Sequence, residues 1–203
     1  YGSNPAAANI TITVKNEKPD MTKQVQKKDG TAWGQDADYS VGDLVPYQIK
    51  VSVPENIAKL KKFALTDTPT NLRDDVNSVK VTDATGNTTI PATATPDGNG
   101  FTIDFTSVDL TAYAGEDIIV TYNAELLNTA KTTTEGNPNT ATLEYSNKIL
   151  PDIDDGSNPN KPNENPSTDK ITDTATVYSF TIQVLKTADS AEGTALKDVT
   201  FEV

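Results

Sequence analysis

Apolar and polar residues alternate with a period of two along most of this chain, and that periodicity limits its fold more than any single motif. Successive strand side chains point to opposite faces of a sheet, so sustained alternation reads as a strand with one buried face. The pattern is clearest at Val45, Tyr47, Ile49, Val51 and Val53, and Pro54 closes that run where a ladder donor is lost. It recurs at Ile10/Ile12/Val14, Phe101/Ile103/Phe105, Ile118/Val120/Tyr122/Ala124/Leu126 and Ala141/Leu143/Tyr145. Turn-forming residues separate the runs at Lys28-Asp29-Gly30, Ser40-Val41-Gly42-Asp43, Thr85-Gly86-Asn87, Pro96-Asp97-Gly98-Asn99-Gly100 and Ala114-Gly115-Glu116. Helical periodicity is almost absent. Its one candidate, Glu55 to Lys62, is short enough to be a turn or two crossing between sheets. The reading is all-β, an Ig-like β-sandwich.

Composition removes most functions that such a sandwich hosts. Lys and Arg total 17 against 29 Asp and Glu, a formal charge of -12, so the long-range field repels nucleic acid and anionic membranes. With no Cys and no His, disulfides, cysteine nucleophiles, Ser-His-Asp triads and the usual zinc sites are excluded. The Thr-, Asn- and Asp-rich composition nevertheless reads as extracellular, which raises the question of another covalent staple. No apolar run approaches the roughly 20 residues that span a bilayer, and the first residues lack the pattern of a signal peptide. Together with an end at Phe201-Glu202-Val203 that reads as mid-strand, this suggests an internal piece of a longer chain.

Residues 1–17 read as a terminal strand or connector from a preceding domain, and 18–177 as the sandwich, with a long loop at 151–173. The stretch from Pro151 to Pro166 carries four prolines and almost no apolar residues, as an exposed linker does. Residues 178–203 read as the first strands of a following domain: Tyr178, Phe180, Ile182, Val184 and Lys186 share one face, and a second alternation runs Val199, Phe201, Val203.

Parity singles out three polar residues on apolar faces. Lys23 is in register with Met21 and Val25, Asp67 follows Phe63 and Leu65, and Asn139 precedes Ala141, Leu143 and Tyr145. Each is costly to bury alone, although a single one also fits a snorkelling side chain or a turn cap. Together they make chemical sense. Burial lowers a lysine's pKa and raises a carboxylic acid's, so a buried pair can rest as neutral amine and neutral acid. The amine can then attack the Asn139 side-chain carbonyl while Asp67 hydrogen-bonds that oxygen and shuttles protons. Ammonia leaves and an amide joins the two side chains. This happens once within one chain, so the protein is not an enzyme in the sense of turnover.

Five stretches carry a resemblance: KPDMTK at 18–23, YSVGDLVPYQIKVSVP at 39–54, ALTDT at 64–68, IVTYNA at 119–124 and NTATLEYSN at 139–147. In that order they resemble the isopeptide-forming domain of Gram-positive sortase-assembled pilins, a collagen-adhesin-like sandwich. The resemblance implies a bond from Lys23 to Asn139 with Asp67 as the promoting acid. Asn147 is a rival acceptor, although its place beside Lys148 suits a turn. The segment from Tyr178 to Lys186, followed by LKDVTF at 196–201, looks like the start of a collagen-adhesin B-type domain, in which Lys186 would be the bond-forming lysine. Backbone pilins carry a Tyr-Pro-Lys motif shortly before this domain; here the place reads ITVKN at 12–16, which makes Lys15 the candidate sortase acceptor. The implied role is a structural module of a pilus or adhesin on the cell wall, with other pilin subunits and sortase as partners.

Alternatives remain at this level. An adhesive module binding a host glycan or matrix protein is the second reading, and a saturable apolar or aromatic groove would favour it; Trp33 is the lone indole available. A hydrolase using Asp104 and Glu116 is a third, with nothing to fix their separation. No cofactor is expected, although Asp152, Asp154 and Asp155, with Asn158 and Asn160, form an oxygen-rich stretch able to attract calcium. Their spacing to Gly156 does not fit an EF-hand, and a solvated linker is the favoured reading.

Overall fold

The structure, a computed structural model, describes residues 18–147 and 167–181. They form two six-stranded sheets packed face to face. The first contains β1 (Met21–Gln26), β2 (Trp33–Gly34), β4 (Leu44–Ser52), β6 (Leu72–Asp74), β7 (Lys80–Asp83) and β10 (Asp117–Leu126). Its order is β2-β1-β4-β10-β6, and β7 shares the outer edge of β10 with β6. The second contains β3 (Asp36–Asp38), β5 (Phe63–Pro69), β8 (Ala94–Asp97), β9 (Gly100–Asp104), β11 (Asn137–Ser146) and β12 (Thr168–Tyr178), in the order β3-β12-β11-β5-β9-β8. All pairings are antiparallel except that of β3 with β12.

The period-two runs become these strands because each has a face to bury. Val45, Tyr47, Ile49 and Val51 of β4 lie opposite Ala124, Tyr122, Val120 and Ile118 of β10, and all are buried. On the other side of β4, Met21, Lys23 and Val25 of β1 lie opposite Val51, Ile49 and Tyr47. In the second sheet, Phe63, Leu65 and Asp67 of β5 oppose Tyr145, Leu143 and Ala141 of β11. The core fills the space between, and an edge-to-face contact of Phe101 with Tyr122, ring centroids 4.9 Å apart, joins the two sheets. The candidate helix reduces to one 3-10 turn, Ile57–Lys59, on the crossing from β4 to β5. At the turn before β4, Gly42 adopts φ 86°, while the Asp43 carboxylate accepts from the Ser40 N–H at 2.8 Å.

Two boundaries differ from the sequence reading. β12 begins at Thr168, inside the stretch 151–173 read as loop, and Tyr178 closes it rather than opening a new unit. The first half of β12 carries a single apolar residue, Ile171, among Thr168, Asp169, Lys170, Thr172 and Asp173, so alternation does not reveal it; a continuous ladder to β11 from Thr168 to Val177 holds it instead. Only Ala175 and Val177 are deeply buried. β3 is similarly hidden, a short Asp36-Ala37-Asp38 edge with one inward residue. The run Ile10/Ile12/Val14, Lys15, the calcium candidates Asp152, Asp154 and Asp155, and Lys186 lie outside the described residues. Among the described residues no helix is long and apolar enough to cross a membrane.

Candidate functional site

β1 is pinned on its outer side by side chains rather than by a long neighbour. The Lys23 N–H donates to the Asp173 carboxylate of β12 at 2.7 Å, and the Lys23 carbonyl accepts from the Gln35 amide at 2.8 Å. These contacts satisfy backbone groups that an edge strand leaves open and fix β1 against the second sheet. The Lys23 side chain, in register with Met21 and Val25, therefore runs into the interior and is fully buried.

Asp67 and Asn139 meet it from the opposite sheet. Asp67 lies opposite Ala141, and Asn139 opposite Pro69, so the acid and the amide are diagonal neighbours on one face, about 7–8 Å apart by strand geometry. Both are buried. The Lys23 ammonium nitrogen, Nζ, donates to Asp67 Oδ1 and, at 2.5 Å, to the Tyr122 hydroxyl. That hydroxyl donates to Asp67 Oδ2 at 2.7 Å and accepts from Asn139 Nδ2 at 3.2 Å. One phenolic oxygen thus stands between amine, carboxyl and amide. Nζ also lies 4.9 and 5.1 Å from the ring centroids of Tyr47 and Tyr122, which stack on each other.

Asp67 does not reach the Asn139 carbonyl oxygen expected of it, because Lys23 and Tyr122 occupy both of its oxygens. Asn139 Oδ1 is buried with no hydrogen-bond partner among the described residues, an arrangement native interiors tolerate rarely. Asn139 Nδ2 instead faces Asp74 Oδ1 of β6 at 3.5 Å.

Burial dominates the electrostatics. It pushes the Lys23 amine down, against the opposing pull of the Asp67 charge. It pushes Asp74 up to about 9, with the neighbouring Asp67 charge adding to the effect. The Tyr122 and Tyr47 hydroxyls are held well above a phenol's ordinary value for the same reason. At neutral pH both phenols and Asp74 therefore carry their protons, and the amine is shifted toward its nucleophilic neutral form.

The structure brings Lys23, Asp67 and Asn139 to one point, and adds Tyr122, Tyr47 and Asp74. The tyrosines escape a parity reading because they look like ordinary apolar positions of β10 and β4. Asp74 shares the inward face with Leu72, but a three-residue strand gives parity too little to work on. Asn147 lies just past the far end of β11, where its N–H donates to the Ser167 carbonyl at 3.0 Å and prolongs the ladder to β12, remote in register from Asn139. Trp33 lies half-buried in β2, and Asp104 caps a 3-10 turn by accepting from the Thr106 N–H.

A glycine sets the acid's position. A Cβ at Gly100 would sit 2.0 Å from the Asp67 carbonyl oxygen and 2.9 Å from Pro69 Cδ, so β9 could not keep its distance from β5. Gly100→Ala is expected to destabilise the fold by about 3 kcal/mol, the upper end of overpacking costs, measured by urea unfolding.

The two-sheet architecture is that of pilin β-sandwich domains. It matches BcpA, the major pilin subunit of Bacillus cereus, with a TM-score of 0.58 at 18% identity, over 79% of this chain and 40% of that one. It matches a backbone pilin of Streptococcus pyogenes with a modular three-domain structure at a TM-score of 0.58 and 23% identity, over 89% and 40%. A 35 kDa C-terminal fragment of the major pilin of Streptococcus agalactiae gives 0.55 at 20% identity, over 81% and 57%. The chain spans less than half the length of the first two. No family model matches the sequence, and no curated protein does. At these identities the likeness is one of fold.

Proposed function

We propose that this chain is a structural module of a cell-surface pilus or adhesin, stabilised by a self-formed isopeptide bond from Lys23 to Asn139 with Asp67 as the promoting acid. The observation that carries this reading is the convergence of a buried amine, carboxyl and amide from opposite sheets around one tyrosine hydroxyl. An isolated set of this kind is costly to bury, and the reaction removes the cost by converting amine and primary amide into one neutral secondary amide. The Lys23 nitrogen attacks Asn139 Cγ, a proton passes from Nζ to Asp67, and the Cγ–Nδ2 bond breaks to release ammonia. The step occurs once, so the chemistry is maturation rather than turnover.

Mechanical consequence follows from topology. The bond would tie β1 of the first sheet to β11 of the second, and tension entering near β1 would pass through the side-chain amide to Asn139. Everything between these residues would be bypassed. Pulled from its two ends by single-molecule force spectroscopy, the chain is expected to extend short of its full contour length by on the order of 400 Å, the extended span of the shielded segment. Extension over the full length would contradict the reading. The wall-exposed surface of a Gram-positive cell, with other pilin subunits and sortase as partners and Lys15 as acceptor, belongs to this same proposal. The adhesive alternative would rest on a pocket of about 230 Å³ that Trp33 lines with the buried Tyr47 and Tyr122; the pocket of about 610 Å³ beside β6, whose walls include Leu44, Arg73 and Glu125, has no aromatic side chain.

A further inference from the structure

The proposed reaction needs two proton transfers, and Asp67 is placed for only one of them. Its oxygens are held by the Lys23 amine and the Tyr122 hydroxyl, on the side where the nucleophile loses a proton. The departing nitrogen, Asn139 Nδ2, faces a different carboxyl, Asp74 Oδ1, at 3.5 Å. Asp74 is fixed there by its backbone: its N–H donates to the Asn99 carbonyl at 2.8 Å, and it pairs with Ala124 of β10. Its other oxygen, Oδ2, is buried without a hydrogen-bond partner among the described residues. A buried carboxyl with one oxygen on the departing nitrogen, the other without a fixed partner and Asp67 beside it is placed to hand over a proton.

Asp74 also has a second surroundings. It forms part of the wall of the open pocket of about 610 Å³, together with Leu44, Arg73, Asp75, Asn77 and Glu125. Lys23, Asp67, Tyr122 and Asn139 do not line that pocket. Asp74 therefore stands between the closed reaction centre and water.

We infer that Asp74 is a second catalytic acid of the bond-forming reaction, protonating Asn139 Nδ2 as the Cγ–Nδ2 bond breaks and passing the ammonia into the pocket beside β6. This rests on the isopeptide reading above. The balance closes without a co-reactant. One Nζ proton goes to Asp67, the Cγ–Nδ2 electron pair leaves on nitrogen, and the Asp74 proton completes ammonia. Asp67 lies within hydrogen-bonding reach of Asp74, so one proton exchanged between them restores both. Asp74 is held protonated at neutral pH by burial and by the Asp67 charge. Lys23, Tyr47, Asp67, Tyr122 and Asn139 face it from the interior, and Arg73, Asp75 and Glu125 lie on its pocket side.

The test follows bond formation in time. The full chain is made by cell-free translation, trapped unfolded in urea, refolded by dilution and sampled by intact mass. Asp74→Asn keeps the shape of the side chain but not its acidity, and is expected to lose ammonia at least about 100-fold more slowly than the parent, the usual scale of general-acid assistance. The parent rate is expected to fall as pH rises through about 9, and the residual Asp74→Asn rate to lack that fall. In Asp74→Ala, imidazolium supplied at about pH 6, a small acid that still carries its proton there, is expected to enter through the open pocket and restore part of the rate, which repair of packing alone would not do. An Asp74→Asn chain that folds and reacts at the parent rate overturns the inference while leaving the bond intact. If Asp74→Asn does not fold, the imidazolium arm decides, and no acceleration overturns it. A parent that never loses ammonia removes the isopeptide reading itself.

Discussion

Lys23→Ala is expected to lower the midpoint of thermal unfolding by about 10–20 °C and to abolish the loss of ammonia proposed for the parent. The estimate rests on loop closure: a cross-link spanning on the order of 100 residues restricts the unfolded chain by about 4–5 kcal/mol. In a domain of this size each kcal/mol shifts the midpoint by about 2–4 °C. The substitution also empties the space beside the stacked Tyr47 and Tyr122 rings and leaves Asp67 with Tyr122 as its remaining partner of the two, so the shift belongs at the upper end. Differential scanning calorimetry beside intact mass checks both halves. An unchanged midpoint would mean that no covalent tie is present.

Asp67→Ala has the second large effect, and its signature differs. Lys23 and Asn139 remain, yet the proton acceptor is gone, so the chain is expected to keep its full mass. It also leaves a buried amine without its carboxyl, a change that costs about 3–5 kcal/mol. The pH dependence then separates it from Lys23→Ala. Burial already depresses the folded lysine below the unfolded value of 10.5, and removing Asp67 takes away the largest opposing influence. Between the folded and unfolded values the unfolded state binds more protons, so stability rises with pH across that window and levels off above 10.5. The urea midpoint of Asp67→Ala relative to that of Lys23→Ala should therefore climb from neutral pH toward 10, because the falling contribution of Asp74, protonated in the native state up to about 9, enters both variants while the titrating amine is present in only one.

The fold was legible wherever a strand had one apolar face. β4, β5, β9, β10 and β11 bury alternate residues, and each shows the alternation in its own sequence. β3 and the first half of β12 were not legible, since backbone pairing rather than side-chain burial holds them. The same distinction applies at the site. Lys23, Asp67 and Asn139 stand out because they interrupt otherwise apolar faces. Tyr122 does not interrupt its face, although its hydroxyl is the hub of the cluster, and a phenol's polar tip cannot be separated from its ring by periodicity. Asp74 was hidden by the brevity of β6, and its role depends on which groups surround it, a property of tertiary packing alone.

The central claim is a covalent bond between two named side chains, and mass is its most direct measure. The denatured chain should be lighter than its sequence by one ammonia. A tryptic digest should contain a branched peptide joining the segment around Lys23 to the segment around Asn139, with the fragment ions placing the link at those residues. A full-mass chain whose Lys23 and Asn139 peptides appear separately would contradict the account.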